Sequence, residues 1–290
     1  MNDQVVTRQV SALRTAVISP TDQRWIDREP DYLSEYGLTD DHVPALIDLA
    51  QEWCDELDSE RADFGPVVAW RALGQLRAAA AVQPLLDMLD PLDEVLDGWF
   101  SEDVGHVFGL IGPPAIEALN SYLADEQHRQ DSRAKAADGL REIARRFPQT
   151  YDQVVTILSS ELARHQADAS TMNALLAYNL VKLEAVEAAE VIERAFAANV
   201  IDPMMVGDWG DLKKELGVAG LGIAPDKSPG WPTLAERFGI SLSTRLLRDS
   251  DAAERKRMAA DQKRRLAAKQ REKAKKKKSR QDRKRNRKAR

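Results

Sequence analysis

Apolar residues along 67–196 recur at the three- and four-residue spacing of amphipathic helices, and the helices themselves recur. Four segments align: VAWRALGQL (68–76), DVGHVFGLI (103–111), KAADGLREI (135–143) and LAYNLVKL (176–183). Leu73, Phe108, Leu140 and Leu180 share one register, and Leu76, Ile111, Ile143 and Leu183 share the next apolar position. Both sets step by 35, 32 and 40 residues. A period of this size predicts an all-α array of stacked helix pairs, since no single pair can bury its apolar face alone.

The breakers agree with that reading. Pro66, Gly112-Pro113-Pro114 and Phe147-Pro148 interrupt the apolar pattern, with proline placed where a following helix can use it at its start. The predicted pairs are 67–76 with 78–89, 104–110 with 115–123, 132–146 with 151–164, and 172–183 with 188–198. Ahead of them, Thr39 is the expected N-cap of a helix whose stripe runs Val43, Leu46, Ile47, Ala50, Trp53, Cys54 and Leu57. Residues 5–18 fit either a strand or an entry helix, and 1–36 is expected to cap the array with Trp25, Tyr32 and Tyr36. At the other end GDWGDLKKELG predicts a closing segment, with Asp208 as cap, Trp209 over the last apolar face and Gly217 left-handed. The array with its closing cap therefore spans 37–217, a Gly/Pro-rich linker with a short helix spans 218–250, and a basic tail spans 251–290.

WRALGQLRAAAAVQPLLDML, VFGLIGPPAIEALNSYL and the 32–40 residue spacing resemble bacterial HEAT-like repeats of the phycobilisome-lyase type over about residues 38–198. That resemblance implies an α-solenoid, and in most such proteins a scaffold that binds other proteins. Some members are lyases for chromophore-bearing proteins, which supplies an alternative function by analogy alone. No bilin-attachment signature stands in this chain.

Composition changes the picture chiefly through charge. Of 290 residues 43% are hydrophobic and 31% charged, with a net charge of -5 and a mean hydropathy of -0.46. That net charge averages two opposites: residues 254–290 hold 20 Lys/Arg against four acids, leaving 22 basic and 43 acidic residues before them. No run approaches the ~20 apolar residues of a membrane span, the first residues lack a secretory pattern, and the single Cys54 suits a cytoplasmic protein.

Two acidic stretches stand out. Residues 27–63 carry 13 acids and two basic residues. Residues 87–103, expected to be a loop, carry seven acids and the pair Trp99-Phe100. Asp90, Asp93, Glu94, Asp97, Trp99, Glu102 and Asp103 are therefore candidates for binding a basic protein partner by charge and cation–π contact. The competing reading is that the aromatics pack between repeats. His106, with Glu102 and Asp103 four and three residues before it, is a candidate metal or acid–base cluster. No phosphate loop, nucleophile elbow or cofactor motif is present, Cys54 sits on an apolar stripe, and nothing in the chain supports catalysis. The tail is the sharper signal. Lys275, Lys276, Lys277, Lys278, Arg283, Lys284 and Arg285 are candidates for non-specific RNA, DNA or ribosome contact. Without an aromatic residue in 254–290, such contact falls on phosphates and not on stacked bases. The expected function is a non-catalytic, cofactor-free interaction scaffold with a polyanion-binding tail.

Overall fold

The computed structural model describes residues 3–16, 30–55, 64–94, 98–164 and 170–217, with the backbone alone for Asp3, Asp55 and Trp99. These belong to one compact unit, Met1–Ser228; a second unit, Pro229–Arg290, lies outside the described residues, as do the expected linker, short helix and tail.

Every regular element among the described residues is helical, and none is long and apolar enough to cross a membrane. In chain order they are α1 (Asp3–Ala12), α2 (Tyr32–Tyr36), α3 (Val43–Asp55), α4 (Gly65–Gln75), α5 (Val82–Asp87), α6 (Leu89–Glu94) and α7 (Gly98–Ile111). There follow α8 (Ile116–Ala124), α9 (Gln130–Arg146), α10 (Tyr151–Ala163), α11 (Ser170–Lys182), α12 (Ala189–Ala197), α13 (Pro203–Val206) and α14 (Trp209–Glu215). Within the ambiguous start of the chain Asp3–Ala12 is α-helix, and Val10 with the following Leu13 buries at 8% and 0% exposure; residues 17–18 lie outside the described residues. The stretch 87–103 is a correction: its described residues form no single loop, but the end of α5, all of α6 and the first turns of α7.

The helices pack in two successions. One runs α3, α4, α7, α9, α11, each against the next; the other runs α5, α8, α10, α12, α14. The register read from sequence is the seam of the first succession: Leu73, Phe108, Leu140 and Leu180 are all at 0% exposure. Within the pairs, the turns repeat their chemistry. After α4, the Ala78 and Arg77 amides donate to the Leu73 and Gly74 carbonyls (3.1 and 2.9 Å), and after α11 the Ala185 and Glu184 amides repeat this on Leu180 and Val181 (3.1 and 2.8 Å). Both turns need a left-handed residue, and Arg77 (φ 52°) and Glu184 (φ 56°) supply it without being glycine. Between α7 and α9 glycine permits close approach: a Cβ on Gly109 would lie 2.6 Å from Glu142 Cβ, and one on Gly139 3.0 Å from Phe108 Cβ.

The two ends are capped differently. At the start, α1 is held by a buried polar link through His42. Thr39 N–H donates to His42 Nδ1 (3.0 Å), so the ring proton sits on Nε2 and is donated to Gln9 Oε1 (2.9 Å). Gln9 Nε2 in turn donates to the carbonyls of Tyr36 and Gly37. At the close, Asp208 caps α14 by accepting from the Asp211 amide at 2.9 Å. Trp209 is buried, stacks on Phe196 (6.0 Å) and donates to Glu193, and Gly217 is left-handed at φ 72°.

Candidate functional site

The acidic segment resolves into two places with different chemistry. The first is internal. Asp103, in the second turn of α7, is 2% exposed and faces α4. Its Oδ2 accepts from Arg71 Nε (2.7 Å) and from Trp70 Nε1 (2.8 Å), and its Oδ1 accepts from Arg71 Nη2 (3.1 Å). Arg71 itself is at 0% exposure, and its Nη1 reaches Tyr32 OH at 3.4 Å. Trp70 is the centre of an aromatic stack, edge-on to Trp53 at 5.5 Å and to Phe100 at 5.2 Å. Asp103 therefore forms no part of a docking surface; it binds two helices together inside the core. Phe100 packs between neighbouring helices, as the competing reading of the aromatic pair holds.

The second place is the corner where α6 meets the entry to α9. Asp90 Oδ2 takes His128 Nδ1 at 2.7 Å, and its Oδ1 takes the Arg129 amide at 3.2 Å. Asp93 pairs with Arg129 Nε. The His128 ring lies flat on Tyr122, with centroids 3.7 Å apart and planes at 12°. Tyr122 and Ser132 are buried at 6% and 0% exposure. Their hydroxyls are turned to Asp90 and act on its carboxylate as donors. Partial burial pushes the Asp90 carboxyl up, and His128, Ser132, the Arg129 amide and Tyr122 together more than reverse this, so it ends below the usual value. Burial, then the Asp90 charge, push the Tyr122 phenol up.

The other candidates divide. Glu94 and Glu102 are exposed, Asp97 and the Trp99 side chain lie outside the described residues, and so do Lys275 to Lys278, Arg283, Lys284 and Arg285. Glu102, Asp103 and His106 do not converge: Glu102 is in solvent, Asp103 faces Arg71, and Arg146 Nη2 donates to the His106 ring at 3.0 Å. Among the described residues no three His, Cys, Asp or Glu side chains gather to hold a metal. Cys54 is half-buried, so it sits at the margin of the core and not within it.

One surface goes unread in the sequence. Tyr178 on α11 is 38% exposed between two cations, with the Lys182 ammonium 5.2 Å and the Arg141 guanidinium 5.9 Å from its ring. Arg141 also donates to Asn179 Oδ1 at 2.8 Å, which fastens α9 to α11. A signal exists: LAYNLVKL carries a tyrosine between buried neighbours, at a position facing away from the seam.

Comparison with protein-family models, with characterised proteins and with solved structures gave no significant match.

Proposed function

We propose that the chain is a non-catalytic interaction scaffold: an α-solenoid of HEAT-like helix pairs that binds a protein partner through polar surface, with residues 251–290 as a tether for RNA, DNA or ribosome-like polyanions. The observation that supports it is the repeated seam. Four helices in equivalent register bury Leu73, Phe108, Leu140 and Leu180 completely and follow one another in the packing order. A stack of that kind leaves outward residues free for recognition while the seam holds the fold. Here the outward residues include the corner acids and the Tyr178 strip. The 20 Lys/Arg of 254–290 support the tether.

The test keeps the chain whole. Lys275, Lys276, Lys277, Lys278, Arg283, Lys284 and Arg285 are replaced together by glutamine, and binding to single-stranded RNA is titrated over a salt series. The slope of log K against log salt is expected to become shallower by about 0.7 for each phosphate that is no longer neutralised. An unchanged slope overturns the tether.

A further inference from the structure

We draw no further inference here: the strongest candidate, the surface patch where the exposed Tyr178 ring of α11 lies between Arg141 and Lys182, has its two cations already paired within the chain, with Glu142 and Glu215, and nothing in the structure shows what covers it.

Discussion

Replacing Asp103 by alanine tests what the acidic segment is for. The substitution removes a carboxylate that is 3% exposed from a guanidinium at 0%, and with it three hydrogen bonds between 2.7 and 3.1 Å. Breaking one partner of a buried pair costs about 3–5 kcal/mol, because the other charge stays in a medium that solvates it poorly. Against a typical domain stability of about 5–15 kcal/mol, that is a large share. For a folded unit of this size each kcal/mol is worth about 2–4 °C, so the melting temperature is expected to fall by about 6–20 °C. Replacing both partners, Arg71→Met with Asp103→Leu, removes the charge altogether and leaves chiefly the Trp70 N–H without its acceptor. That loss is about 1–3 kcal/mol, so the double variant is expected to be more stable than Asp103→Ala alone. Urea unfolding followed by tryptophan fluorescence measures all three proteins, with Trp70 reporting from within the cluster. If Asp103→Ala lies within about 0.5 kcal/mol of wild type, as surface substitutions do, the internal role of Asp103 is refuted.

Three further outcomes follow from the same geometry. Gly109→Ala is expected to destabilise by about 1–3 kcal/mol in the same unfolding assay, since its Cβ would lie 2.6 Å from Glu142 Cβ at a helix–helix contact. Lys182→Ala is expected to change stability by less than about 1 kcal/mol, because its pair with Glu215 is 40% and 48% exposed and solvent screens it. The Asp90 carboxyl sits below its ordinary 3.8, so its contribution to stability is fully present above that value and is lost as pH falls through the lower folded value. Asp90→Asn is therefore expected to narrow the gap to wild type as pH is lowered through that range, and a gap independent of pH contradicts the assignment.

The parts of the fold legible in the sequence are those fixed by local periodicity. Leu73, Phe108, Leu140 and Leu180 align because burial of each demands the same i, i+3, i+4 pattern. The acids of 87–103 are not legible in that way. A run of seven acids with no nearby basic residue reads as solvated surface, yet the partners of Asp103, Asp90 and Asp93 stand 32, 38 and 36 residues away. Those separations match the 32–40 residue spacing of the aligned segments, so the counter-charges come from neighbouring helices and become visible only when these pack together. Asp103 leaves the docking surface for that reason. Arg71, a charged residue inside an otherwise apolar helix, is the one local hint that a buried anion must exist. Tyr178 hides for the opposite reason: an aromatic among Leu and Ala reads as core, although its helical position turns it outward.

Hydrogen–deuterium exchange of the full chain, wild type against Asp103→Ala, tests most directly whether Asp103 serves the cohesion of the fold by joining α7 to α4. Loss of protection in the variant is expected to concentrate in residues 65–75 and 98–111, with α12 and α14 unchanged. Exchange in those two helices equal to that of wild type contradicts the internal role of Asp103.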